Sequence, residues 1–453
     1  MKKSSVKKLA VLLLSALIFT FTACDDNGSN NGGQGNSGVI DNGNNNGGQG
    51  NPGGIDNGNN NGGQGSGGGS VAIKDIMDLS PLKDDFSDYF MMGNIFNTND
   101  APTSSAVTNP RLTRHFNVLT AENNMKPSYI ATSRNNSTGA ISYSWTTADR
   151  MVDAARASDF QVVGHTLLWH SQNPNWVWEQ IATKGNNPNN PGPGTAIANN
   201  ATALTIMKKY ITEVADHFKG RIYSWDVLNE AFPDNAGNGN WKDAIRKGAS
   251  GEGQDANPWY IAIGSDFVYE GFLAARLADP DAILYYNDYN TNMTNRARLI
   301  RDMVQEVNQK YAQEYPSANR KLIEGIGMQS HHNTTVTAAQ IKATLDLFRP
   351  LGVKISISEL DVLGQTYQQF AAVGSGTNKH GSTTVTAQGL QTQASLYNQY
   401  MKLFLQNSDI IERVSLWGVT DNQSWRSAGL PLLFDPNGKT KPAYYSFVGA
   451  LSQ

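Results

Sequence analysis

From residue 86 onward the chain repeats one unit. A short apolar, β-prone run is followed by a longer stretch whose apolar residues recur every three or four positions, and then by a Gly or Pro break. The unit occurs eight times, with runs at 89–96, 118–123, 161–170, 221–230, 282–290, 322–331, 353–361 and 413–421. Between them the helical stripes are plain: Met207, Tyr210, Ile211, Val214 and Phe218 stop at Gly220, and Ile341, Leu345 and Phe348 stop before Pro350. Alternation of this kind builds βα units on a parallel sheet. Eight such units predict an α/β fold, a closed (β/α)8 TIM barrel, as a single catalytic domain over 71–453.

In such barrels the site lies where strands end and loops begin, and the polar residues here obey that rule. The run ends read Glu122-Asn123, His165 to His170, Trp225 to Glu230, Asn287 to Asn290, Gln329 to His332, Glu359 to Asp361 and Trp417 to Asp421. Two glutamates stand out. Glu230 closes the fourth run and Glu359 falls near the end of the seventh, so in an eight-stranded ring they face each other across the mouth. Glycoside hydrolysis asks for such a pair: one carboxylic acid protonates the leaving oxygen, and a second carboxylate attacks or activates water. An ordinary salt bridge is the alternative for either glutamate alone, and the scarcity of nearby basic residues weakens it for the pair. Side chains two apart on a strand share a face, so Glu359 and Asp361 point the same way. With His331 on the neighbouring run, an Asp–His–Glu chain is available to hold Glu359 ionised and oriented. Asn229 and Glu230 are adjacent and cannot both face inward from a regular strand, so the pleat is expected to break there. Trp169, Trp417 and Trp425 stand at or past run ends, where flat rings can stack on sugars; Trp145, Trp176, Trp178 and Trp259 are expected in the core.

Six segments in this order, ENNMKP at 122–127, HTLLWH at 165–170, WDVLNE at 225–230, GMQSH at 327–331, ISELD at 357–361 and WGVTD at 417–421 with Trp425, resemble glycoside hydrolase family 10, the endo-1,4-beta-xylanases. The likeness runs from about residue 85 to the C-terminus. It implies cleavage of internal xylan bonds by a retaining double displacement, with Glu230 as acid/base, Glu359 as nucleophile, and His331 and Asp361 as the nucleophile's network; Asn229, freed by the expected break in the pleat, is expected to donate to a sugar hydroxyl while Glu230 reaches the glycosidic oxygen. It also implies a sugar-binding wall of Glu122, Asn123, Lys126, His165, Trp169, Gln329, Trp417 and Trp425, and xylan or xylo-oligosaccharides as partner. Two Gly-, Pro-, Ser- or Asn-rich insertions, 183–200 and 371–388, depart from the repeat and are expected as loops beside the cleft.

Two other readings compete. A metal-dependent barrel hydrolase would draw on His165, His170, His331 and His332, but none of the seven histidines forms the H-x-H pair expected on an early strand. A binding protein that kept the cleft and lost its chemistry would not need both glutamates. No metal or cofactor is expected, since no G-x-G-x-x-G follows a strand. With 36 basic against 39 acidic residues there is no positive excess to neutralise nucleic-acid phosphates.

The first 70 residues stand apart. Met1–Ala23 has a basic start and a short apolar run, too short to span a bilayer, and so is expected to be a secretory signal. Cys24, the one cysteine, follows Phe21-Thr22-Ala23 in a pattern that resembles a bacterial lipobox and is expected to be lipidated; ordinary signal-peptidase cleavage is the alternative. Residues 24–70 carry three copies of a Gly/Asn-rich repeat with almost nothing apolar to bury, and are expected to form a disordered linker with a reach of roughly 35–40 Å. The expected picture is an exported monomer on the bacterial cell envelope, held at the outer membrane or cell surface by its lipid, with free secretion as the alternative.

Overall fold

The computed structural model describes residues 72–185, 192–249 and 256–452. The signal, Cys24 and the 24–70 linker lie outside the described residues. The eight runs form eight strands: β1 Met91–Phe96, β2 Val118–Ala121, β3 Gln161–Leu168, β4 Ser224–Asn229, β5 Ile283–Asp288, β6 Gly325–Met328, β7 Lys354–Val362 and β8 Ile411–Leu416. Each pairs in parallel with the next, and β8 returns to β1 from Met91↔Arg413 to Asn94↔Leu416, so the sheet has no free edge. Outside the barrel run α1 Pro110–His115, α2 Thr146–Ala157, α3 Asn200–His217, α4 Asp266–Ala278, α5 Thr294–Glu314, α6 Ala338–Phe348, α7 Ala387–Gln406 and α8 Pro442–Val448, with shorter helical turns between them.

Local chemistry sets these elements. Asn199 caps α3 by accepting from Thr202 N, and Thr337 with Gln340 forms a reciprocal capping box on α6. The stripe read from the sequence is the buried face of α3, where Met207, Tyr210, Ile211 and Val214 pack inward. Inside the barrel, large side chains lie against glycines. A Cβ on Gly164 would fall 2.2 Å from the Trp225 ring, and one on Gly327 would fall 2.1 Å from Asn287 Oδ1. An antiparallel hairpin, Ala131–Arg134 with Ile141–Tyr143, is inserted between β2 and α2. Trp176 and Trp259 are core residues, but Trp145 is half-buried, stacked between Tyr143 and His217, and Trp178 is half-buried beside Lys184.

β6 and β8 stop at Met328 and Leu416, short of the polar residues that ended their runs, whereas β7 continues through Glu359 and Asp361, and the ladder is irregular where the site residues lie. Register shifts fall between His165 and Leu168 on β3, between Asp226 and Leu228 on β4, and between Ile357 and Leu360 on β7. A bulge of this kind bends the strand and re-aims its side chains. All three lie towards the carboxyl ends, on the strands that carry His165, Asn229 and Glu359, and a further shift, between Ile355 and Ser356, lies near the start of β7.

Candidate active site

Glu230 stands one residue past β4 with φ of 53°, a left-handed conformation unusual for a residue with a Cβ. This is the break expected from the adjacency of Asn229 and Glu230. The surroundings hold it: Glu230 N donates to Asn287 O at 2.9 Å, and Arg246 Nε donates to Glu230 O at 3.2 Å. Its carboxyl accepts from Gln329 Nε2 at 2.8 Å and from Trp169 Nε1 at 2.8 Å, with His170 Nδ1 at 3.8 Å. Two residues expected in the sugar wall, Trp169 and Gln329, are thus bonded to Glu230. Lys126 Nζ lies 5.1 Å from the centre of the Trp169 ring and donates to Asn123 Oδ1 at 2.9 Å.

Glu359 lies in the bulge of β7 and is buried. His331 bonds it at 3.0 Å through Nε2 and bonds Asp361 at 2.8 Å through Nδ1. An imidazole between two carboxylates uses both nitrogens as donors, which is the cationic form. Burial alone would lower the His331 pKa, but Asp361 and Glu359 together raise it to about 9. Burial likewise pushes Glu359 towards its neutral form, and the His331 hydrogen bond and charge overcome this, so its pKa falls below the ordinary carboxylate value. Asp361 is also held low, against its burial, by Arg426 and His331. The bland alternative of a Lys or Arg partner therefore does not apply to Glu359.

The two carboxyls are joined through amides. Asn287 Nδ2 donates to Glu359 Oε1 at 2.8 Å and to Asn229 Oδ1 at 2.9 Å, and Gln329 Nε2 donates to Asn229 Oδ1 at 3.3 Å as well as to Glu230. Because Asn229 accepts both bonds on its oxygen, its amide nitrogen is the end with protons to give. His165 bonds Asp226 at 2.9 Å and meets the Trp417 ring edge-on at 5.8 Å; Trp417 and Trp425 meet His331 at 6.2 and 5.4 Å. Glu122, in the loop past β2, lines a cavity beside Gly418.

Three contributors were not singled out from the sequence. Asn287 is the amide bridge, oriented by Ser358 Oγ, which donates to its Oδ1 at 2.6 Å. Arg426 is buried and ion-pairs with Asp361. Asp226 partners His165. Asn287 and Asp226 stood within the polar run ends, so their position was the available signal. Arg426 lies in a loop, where no period marks it. Among the described residues, no group of three or more His, Cys, Asp or Glu side chains is arranged to hold a metal ion.

A buried carboxylate kept ionised, with a second carboxyl across an amide bridge from it, can cleave an acetal between sugars by acid assistance and nucleophilic attack. Fold and mouth together define a barrel glycoside hydrolase. Residues 81–450 match the model described as Glycosyl hydrolase family 10, and the chain belongs to that family. Endo-1,4-beta-xylanase A of Thermotoga maritima is 32% identical over 379 residues, 82% of this chain and 31% of that protein. The protein named Exoglucanase XynX from Acetivibrio thermocellus is 33% identical over 82% of this chain and 29% of its own length. This chain therefore spans less than a third of these relatives. A crystal structure of a family 10 xylanase containing a bacterial Ig-like domain, from termite gut, superposes with a TM-score of 0.77 at 53% identity, covering 84% of this chain and 79% of that one.

Proposed function

We propose that this chain is an endo-1,4-beta-xylanase that hydrolyses internal xylosidic bonds of xylan by a retaining double displacement. The observation that carries the reading is the unequal setting of the two carboxyls: Glu359 is hydrogen-bonded to cationic His331, whereas Glu230 is hydrogen-bonded by the neutral donors of Trp169 and Gln329, with His170 farther off at 3.8 Å. In the first step Glu359 attacks the anomeric carbon as Glu230 gives its proton to the departing oxygen, leaving a glycosyl ester on Glu359. In the second, Glu230 takes a proton from water, the water attacks that carbon, and the Glu359 carboxylate is released. Asn287 and His331 orient Glu359 throughout, and Asn229 Nδ2 is available to a sugar hydroxyl. Glu122, Asn123, Lys126, His165, Trp417 and Trp425 line the sugar's path.

The test is reducing-sugar release from xylan by the wild type and by Glu230→Ala and Glu359→Ala, with NMR of the first product. Loss of a positioned proton donor lowers the rate by roughly 10²–10⁴, and loss of the nucleophile is expected to cost at least as much. Equal activity in all three proteins, or an inverted first product, would remove this reading. A glucan-directed activity is the second reading, favoured by the name of the Acetivibrio relative; parallel assays on xylan and cellulose decide between them.

The same proposal extends to the N-terminus: export by Met1–Ala23, lipidation at Cys24, and a monomer tethered to the cell envelope by residues 24–70. Cys24→Ala should move the protein from the membrane fraction to the soluble one. Unchanged partition would point to secretion without lipid.

A further inference from the structure

The reaction above leaves the insertion at 371–388 without a task, yet the structure ties it to the site. It is joined to the loop after β8 by four hydrogen bonds: Gly376 N to Trp425 O at 2.6 Å, Asn378 N to Asn422 O at 3.0 Å, Lys379 N to Ser427 Oγ at 2.7 Å, and Ser427 Oγ to Gly376 O at 2.7 Å. Gly376 and Arg426 also pair as a short parallel bridge. Two of the four bonds pass through one hydroxyl, that of fully buried Ser427, which donates once and accepts once. The turn around it needs left-handed backbone: Gly374, Gly376 and Asn378 have φ of 85°, 136° and 59°.

What the clasp holds are the two residues before Ser427. Trp425 meets His331 edge-on at 5.4 Å. The Arg426 guanidinium pairs with Asp361 and lies 5.7 Å from the Trp425 ring and 5.5 Å from the ring of Phe370, on the helical turn Tyr367–Val373 that leads into the insertion. Residues 422–425 lie in turns, outside any strand or helix, so no ladder fixes this backbone. A buried ion pair holds its anion well only when its geometry is good, so the grip of Arg426 on Asp361 depends on where residues 425–427 are held. The other titratable groups around Asp361 are His331 and His332 from the segment after β6, with Glu359 beyond His331, and the Tyr397 hydroxyl from α7. Burial keeps His332 neutral, with its pKa lowered to about 3, and pushes Tyr397 up. Arg426 and His331 are therefore the cations on which this buried carboxylate relies.

We infer that Ser427 is a positioning residue for the nucleophile. Anchored on the 371–388 insertion, its hydroxyl fixes the backbone of Trp425 and Arg426 and so keeps the chain from Asp361 through His331 to Glu359 aligned. The kinetic consequence rests on the xylanase reading above, whereas the alignment of the chain does not.

The test follows the His331 imidazole by NMR of the histidine-labelled full chain across pH, its signal assigned by its loss in His331→Asn. Three variants are compared with the wild type, and thermal melts check that each folds. Ser427→Ala opens the clasp from the β8 side and Ser427→Thr keeps the hydroxyl. Gly376→Ala opens it from the half-buried insertion, because a side chain at φ of 136° strains the turn, and it leaves the loop after β8 intact if a change at 427 does not fold. His331 of the wild type should titrate at about 9. As Arg426 loosens, Asp361 is held less firmly as the anion and His331 loses part of its partner. Both alanine variants should therefore lower the His331 pKa by about 0.5, a threefold weaker hold on the proton. Glu359 then loses part of its cation, so the acidic limb of the pH–kcat/KM profile on xylan should move to higher pH in the same two proteins. Ser427→Thr should behave as the wild type does. A lower Tm with His331 unmoved would overturn the inference and make the clasp structural only, and a shift that Ser427→Thr leaves in place would remove the hydroxyl from it. A wild type inactive on xylan whose His331 still responds to both alanine variants would overturn the xylanase reading and leave the alignment of Glu359 standing.

Discussion

Arg426 shows how far from the reacting bond a residue can act. Its guanidinium is buried against one oxygen of Asp361, whose other oxygen binds His331, which in turn binds Glu359. Removing the guanidinium in Arg426→Met leaves Asp361 buried with one partner fewer, so its pKa rises. Once Asp361 takes a proton, His331 loses an anionic neighbour and its own pKa falls from about 9. Glu359 then loses the cation that holds it ionised. We expect the acidic limb of the pH–kcat/KM profile on xylan to move to higher pH by about one unit, with a stability loss of about 3–5 kcal/mol by urea denaturation. A stability loss with an unmoved limb would make Arg426 a structural residue only. Trp425 is the neighbouring case. Its ring meets His331 edge-on, and its carbonyl is fixed by Gly376. If it closes the pocket where glucose would carry its hydroxymethyl group, Trp425→Ala should raise activity on glucose-derived substrates relative to xylan. An unchanged ratio in paired assays would exclude that role.

At the scale of elements, the site depends on strands that bend and approach closely. Gly327 on β6 faces Asn287 on β5, and the amide of Asn287 links Asn229 to Glu359. A Cβ at 327 would meet Asn287 Oδ1 at 2.1 Å, so Gly327→Ala must displace the bridge. Misplacement by about 1 Å costs on the order of 10²-fold in rate. We expect kcat on xylan to fall by about that factor while the Tm changes little, and a kcat within a factor of two of wild type would show that the bridge is not needed. These elements differ in how readable they were. The strands and their polar ends were legible because period two and period 3.6 leave marks along the chain, and the broken pleat at Glu230 followed from two polar neighbours competing for one face. The hairpin at 131–143 carries little apolar alternation, and so left no such mark. Asn287 could be located at a strand end, but its function as a bridge exists only once β4, β5, β6 and β7 are side by side.

For the whole molecule, the question is where the folded unit begins. The end of the Gly/Asn-rich linker placed the catalytic domain from residue 71, and the family match starts at 81, yet the residues between them are tied to the far end of the chain. Lys74 N donates to Thr440 Oγ1 and Thr440 N to Lys74 O; Ile76 N donates to Gly438 O, and Lys439 pairs with Asp75 at 3.1 Å. Ile76 is fully buried and Leu79 nearly so. This clasp was not legible, because Lys74 to Leu79 has neither strand nor helix period and its partners lie more than 360 residues away. Two truncations separate linker from fold. A chain starting at residue 72 retains every one of these contacts and should match the full-length protein in Tm and in kcat on soluble xylan. One starting at residue 81 exposes the surface that Ile76 and Leu79 cover, at about 1.5–3 kcal/mol for each buried side chain. It should therefore unfold about 3–6 kcal/mol more easily in urea while keeping its kcat at 25 °C, since the clasp joins the chain ends and touches neither Glu230 nor Glu359. Equal stability of the two truncations would show that the clasp contributes nothing and that the folded unit starts where the family match does.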